Sequence, residues 1–182
     1  MLNAIGGVEL SSVAKGLESA DAMLKTSDVS LLLSRSICAG KYIILVAGEV
    51  GAVNAAVEAG AGKAAHALVD SFVIANIHPE VFPAIAGTAV VNELEALGII
   101  EAFSVSALIE AADAAVKAAD VKLIEIRLAM ALGGKAFVTM TGSVAAAEAA
   151  VSAGAAVVGK KGLLVEKVVI AAPRKELLRE MI

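Results

Sequence analysis

Tryptophan is absent, and one tyrosine and four phenylalanines are the whole aromatic content. That poverty argues against a binding platform built from aromatic rings. One cysteine, Cys38, excludes an intrachain disulfide and suits a reducing, cytosolic setting. No basic run or stripe occurs, and 15 basic against 19 acidic side chains leave a formal charge of −4. Nucleic-acid binding, which depends on phosphate neutralisation, is therefore not expected. The longest apolar runs, such as Tyr42 to Ala47, fall far short of the ~20 residues of a membrane-spanning helix. Met1-Leu2-Asn3-Ala4 lacks the basic and apolar regions of a secretory signal.

What the chain does have is apolar bulk in small pieces. Hydrophobic residues make up 59% of it and mean hydropathy is +0.85, much of this from alanine. Two units of ~90 residues cannot each hide so much apolar character alone. The composition favours an oligomer with large flat contacts, with alanine-rich helices as the plainer alternative.

Ala4 to Leu10 reads as a strand, and Ser11 or Ser12 can cap a helix from Val13 to about Lys25. Val29–Ile37 and Tyr42–Val46 read as strands joined by the hairpin connection Cys38-Ala39-Gly40. A small-residue helix from Val50 to about Ala59 is expected to close near Gly60 and Gly62. A strand, Leu68–Ile77, and a short terminal helix from His78-Pro79 to about Ile85 complete the pattern. The order β-α-β-β-α-β is the split βαβ, ferredoxin-like plan: an α/β (α+β) fold with helices on one face of an antiparallel sheet.

The pattern then begins again. Ala4-Ile5-Gly6-Gly7-Val8-Glu9 matches Ala96-Leu97-Gly98-Ile99-Ile100-Glu101, and Ala20 to Lys25 matches Ala112 to Lys117. The offset is 92 up to Arg35/Arg127 and 94 from Lys41/Lys135 through Gly60/Gly154, reaching 96 at Ile74/Ile170. The second hairpin loop is thus two residues longer. Internal duplication follows, with domains at 1–90 and 91–182 and a link from Gly87 to Glu95.

The two hairpins differ where chemistry could sit. Cys38 lies in the turn Ser36-Ile37-Cys38-Ala39-Gly40-Lys41, whereas Met130-Ala131-Leu132-Gly133-Gly134-Lys135 has no thiol. A lone cysteine is usually a small buried hydrophobe. One thiolate holds neither a structural zinc nor an iron–sulfur cluster, but three or more copies around an axis could each supply a ligand. A redox-sensitive thiol and a cysteine nucleophile are the other readings. His66 and His78 show no metal-ligand spacing and no evident nucleophile partner. The i,i+4 spacing of Asp21/Lys25 and Asp113/Lys117 makes helix support the simpler role for those aspartates. No convincing pair of catalytic carboxylates emerges, and the chain is read as a non-enzyme.

The segments Ala20-Asp21-Ala22-Met23-Leu24-Lys25, Ser36 to Lys41 and Gly48-Glu49-Val50 resemble the shell-protein domain of bacterial microcompartments. Ala112 to Lys117, Gly133-Gly134-Lys135 and Pro173-Arg174 carry the likeness through the second half. The whole chain is similar to the tandem-domain members, and Ile37 to Lys41 is most similar to the iron–sulfur-binding shell proteins of propanediol-utilisation compartments. The resemblance implies a homotrimer that mimics a hexamer, in a flat layer with other shell proteins of a cytoplasmic organelle. It implies pore loops at Ile37, Cys38, Ala39, Gly40 and at Ala131, Leu132, Gly133, Gly134, and edge contacts through Lys25, Lys117 and Arg174. It implies one 4Fe–4S cluster per trimer, held by three Cys38 thiolates, for electron transfer or cluster transport and with a lumenal or cytosolic redox partner. The first repeat departs at Asn76-Ile77-His78-Pro79, which has no counterpart of Arg174. The alternative is a shell tile with a thiol-lined pore for small metabolites and no cluster.

Overall fold

A computed structural model of the chain describes residues 3–129, 132–174 and 176–177. Packing divides the chain into two compact units, Met1–Ile77 and His78–Ile182.

The first unit runs β1 (Ala4–Leu10), α1 (Val13–Thr26), β2 (Ser30–Ile37), β3 (Lys41–Gly48), α2 (Val50–Ala64) and β4 (Leu68–Ala75). Its four strands form an antiparallel sheet in the order β2-β3-β1-β4. Alternation along the strands sends Val8, Leu10, Tyr42, Ile44 and Val46 into one core with Met23 of α1 and Val53, Ala56 and Val57 of α2. Ser12 caps α1, its Oγ accepting the Lys15 N–H at 3.3 Å.

The second unit begins with α3 (Val81–Ala86) and continues β5 (Ala96–Ala102), α4 (Val105–Ala118), β6 (Lys122–Arg127), β7 (Ala136–Gly142), α5 (Val144–Lys160) and β8 (Leu164–Ile170). Its sheet repeats the first topology as β6-β7-β5-β8. Ser104 caps α4 and Ser143 caps α5, each accepting an N–H at 3.2 Å from Ala107 and Ala146. Replacing Ser104 by alanine should cost about 1 kcal/mol, read as a lower urea midpoint, because the first-turn donor loses its acceptor.

Two expectations change. The helix expected to stop near Gly60 continues to Ala64. Gly60 is buried within it, where an added Cβ would stand 2.6 Å from Met23 Cγ, so it is a close-packing glycine rather than a terminator. The terminal helix begins at Val81, three residues after the expected start.

The compact packing units divide at 77/78, ahead of α3. The reason is local packing of α3 against β6. The His78 N–H donates to Asp113 Oδ1 at 2.7 Å, and Glu80 Oε2 accepts the Leu123 N–H of edge strand β6 at 3.0 Å. Val81 and Ala84 are fully buried. Beyond α3, Val91 and Leu94 of the link pack with Leu97, Ile99, Ile124 and Ile170.

Candidate functional site

In each unit the hairpin and the edge residues occupy opposite ends. In the first, β3 runs from Lys41 beside the hairpin to Gly48, which lies against the Asp28 carbonyl beyond α1. Eight residues of strand cover about 25 Å, which separates Cys38 from the Lys25 end of α1. In the second, Gly142 lies against Asp120 just beyond Lys117, and β8 ends where Leu97 pairs Ile170, shortly before Arg174. Lys117 and Arg174 therefore share the end remote from Leu132, Gly133 and Gly134.

The first hairpin is short and tightly closed. Ile37 is buried and pairs in register with Lys41, leaving Cys38, Ala39 and Gly40 as the turn. Cys38 is half-buried, while Ala39 and Gly40 are exposed. Gly40 has φ +75°, and an added Cβ there would have no neighbour within 4 Å.

The second hairpin opens earlier. Strand β6 ends at Arg127 and β7 begins at Ala136, so the loop spans 128–135 against 38–40 in the first repeat. Only two residues were inserted. Ala129 at φ +46° takes the chain out of the extended conformation the ladder requires, which unpairs further residues. The loop closes with the Lys135 N–H donating to the Leu132 carbonyl at 3.1 Å. Gly133 and Gly134, at φ +62° and +89°, occupy its two central positions, both of which demand left-handed backbone in a type I′ turn. Of the expected pore-loop residues, Ala131 lies outside the described residues, as does Met130.

Beneath both hairpins sits an ion pair that the sequence reading passed over. Lys41 Nζ meets Glu9 Oε1, and Lys135 Nζ meets Glu101 Oε1 at 2.6 Å. The Glu9 side chain is 5% exposed, that of Glu101 27%. Both pairs were detectable: Glu9/Glu101 and Lys41/Lys135 are retained across the duplication, and strand alternation places each pair on one sheet face. In the second repeat Arg127 also pairs with Glu125 at 2.7 Å and lies over the Phe137 ring at 5.3 Å.

Away from the hairpins, Lys25 binds Asp21 and Lys117 binds Asp113, each at 2.6 Å. Asp21 fits the helix-support reading. Asp113 does more, because its other oxygen receives the His78 N–H. Arg174 is exposed, with Glu176 at 3.5 Å.

A cluster held within one chain does not fit this arrangement. Cys38 is the sole thiol, and among the described residues no three His, Cys, Asp or Glu side chains gather as metal ligands. A soft sulfur ligand in an outward turn fits a cluster shared between copies, since each copy brings one ligand of the type iron–sulfur clusters require.

The geometry thus defines a duplicated α/β protein whose two copies of one unit carry unlike hairpins. The sequence profile of the BMC domain matches twice, at residues 4–77 and 96–173. The chain belongs to the BMC-domain family, as a tandem-domain shell protein of bacterial microcompartments. It is 45% identical over all 182 residues to the bacterial microcompartment shell protein PduT of Citrobacter freundii, covering 99% of that protein. A crystal structure of a microcompartment protein from Desulfitobacterium hafniense DCB superposes with a TM-score of 0.95 at 48% identity, over 98% of this chain and 99% of that one. Carboxysome shell protein CsoS1C of Hydrogenovibrio crunogenus is 44% identical over 87 residues, 46% of this chain and 84% of that protein. PduT and CsoS1C are shell proteins, which agrees with the non-enzyme reading.

Proposed function

We propose that this shell protein assembles as a homotrimer whose axis gathers three Cys38 hairpins around one 4Fe–4S cluster. The observation that carries the reading is the asymmetry of the hairpins. The only thiol stands on the short, exposed turn, and its counterpart in the second repeat is a longer glycine turn without one. A threefold ring would then present three thiolates alternating with three thiol-free loops. Three thiolates leave the fourth iron without a protein sulfur ligand. Such a cluster supplies one-electron chemistry when bound, and its place in a shell suits electron transfer to a lumenal or cytosolic partner, or passage of the cluster itself.

Lys25, Lys117 and Arg174 would serve the opposite task. They lie at the ends of the units remote from the hairpins, and basic side chains there suit contacts with carbonyls and carboxylates of neighbouring tiles in a flat layer. His78 stands where the first repeat would need its arginine, so alternate edges of the tile would bind differently.

Anaerobic reconstitution with iron and sulfide, followed by EPR and iron analysis, tests the cluster. Wild type should bind ~4 iron per three chains and Cys38→Ala essentially none, since the thiolate is the ligand. Wild type without Cys38-dependent iron would overturn the proposal and leave a thiol-lined metabolite pore as the reading. Analytical ultracentrifugation tests the trimer, and a monomer at micromolar concentration would reject any ring.

A further inference from the structure

The Cys38 turn is held at both of its ends. On the N-terminal side Ile37 is 5% exposed and anchored by burial. On the C-terminal side Lys41, its register partner, reaches past the end of β1 to Glu9. Glu9 is anchored on both sides, because β1 is a central strand and Glu9 stands opposite Ile43 on one side and Asp70 on the other, just before the register shift at Leu10. Between those ends Ala39 is exposed, and a Cβ added at Gly40 would have no neighbour within 4 Å.

We infer that Glu9 and Lys41 are positioning residues for the Cys38 thiol. Their ion pair fixes the stalk three residues from the sulfur and so sets how far the thiol projects from the turn. The duplication supplies an internal control. Glu101 and Lys135 form the same pair under the thiol-free hairpin, so breaking it disturbs an equivalent stalk without touching the cysteine.

The role this gives the pair in cluster binding rests on the shared-cluster reading, but the positioning itself does not. Cluster-free full-length protein is treated with iodoacetamide under anaerobic conditions, with circular dichroism as the check on folding. Glu9→Gln and Lys41→Met should be alkylated about 5-fold faster than wild type, while Lys41→Arg and Glu101→Gln stay within about twofold, as expected when a local opening becomes easier at one stalk only. Glu9→Gln reacting within about twofold of wild type, or Glu101→Gln accelerating Cys38 as strongly, would overturn the inference, since neither outcome leaves the effect local to this stalk. In reconstituted protein, Glu9→Gln should also lose iron to a chelator about 5-fold faster, for the same reason. Wild type that takes up no iron would remove the cluster reading, while the alkylation order would still decide the role of the pair.

Discussion

Replacing Gly154 by alanine is expected to lower the thermal midpoint by about 6 °C, whereas the same change at its repeat partner Gly60 should move it by less than about 3 °C. Both glycines sit inside helices where a second helix crosses closely. At Gly154 an added Cβ would stand 2.6 Å from the Ala111 carbonyl oxygen and 2.6 Å from Ile100 Cδ1. A backbone carbonyl inside a helix cannot step aside, so α4 and α5 must separate. Overpacking of this kind costs about 1–3 kcal/mol. At Gly60 the near atoms are Met23 Cγ and Sδ, at 2.6 and 2.7 Å, the middle of a flexible thioether chain. Met23 is fully buried and must shift, but its side chain can give where a helix carbonyl cannot. Up to ~1 kcal/mol of improved helix propensity offsets part of the cost, so Gly60→Ala should destabilise by less than Gly154→Ala. Differential scanning calorimetry at one protein concentration distinguishes the two. Equal midpoints would contradict the helix contact described for the second unit.

The second large effect concerns Lys41. Truncating it to methionine leaves the Glu9 carboxylate buried without its counter-charge, and breaking a buried pair in this one-sided way costs about 3 kcal/mol. Removing both charges should recover most of the loss, so Glu9→Gln with Lys41→Met is expected to be more stable than Lys41→Met alone. The homologous Lys135→Met should cost less, about 1 kcal/mol, because Glu101 is 27% exposed and water replaces part of the lost interaction. Chemical denaturation of wild type, Glu9→Gln, Lys41→Met and the double variant gives the coupling directly, with Lys135→Met measured alongside. Lys41→Met unfolding at the wild-type midpoint would show that Glu9 is solvated in solution.

Much of this architecture could be read before any coordinates. The offset between Ala4–Glu9 and Ala96–Glu101 gives the duplication, strand-like runs give the first sheet and the repeat its copy, and Ser11 or Ser12 gives the start of α1. The glycines were harder. Gly60 ends an alanine-rich pattern just as a helix terminator would, and only the crossing of α1 shows that it is a contact surface. Local patterns also could not reveal that α3 leaves its own repeat, because what holds it is the pair of acceptors on Asp113 and Glu80, 35 and 43 residues from their donors or recipients in sequence. At the candidate site, Cys38 was conspicuous as the only thiol. The Glu9–Lys41 pair is legible only through the duplication, since a glutamate in a strand and a lysine after a turn are ordinary until register brings them together. The loop 128–135 was legible in its two-residue insertion but not in the length of ladder that this insertion dissolves.

The transfer of α3 to the second unit bears on how duplication changes an assembly. A helix that one repeat contributes to the packing of the next would, between separate single-repeat molecules, form only as often as they meet. Fusion places it beside its receiving strand on a tether of a few residues, at an effective concentration of the millimolar order. The contact thereby becomes insensitive to how much protein the cell makes. It also gives the two halves a fixed order, so that one can lose its thiol or lengthen its loop without the other having to follow. Dividing the chain at the midpoint of its sequence repeat would sever neither sheet, but it would detach α3 from the strand that receives it.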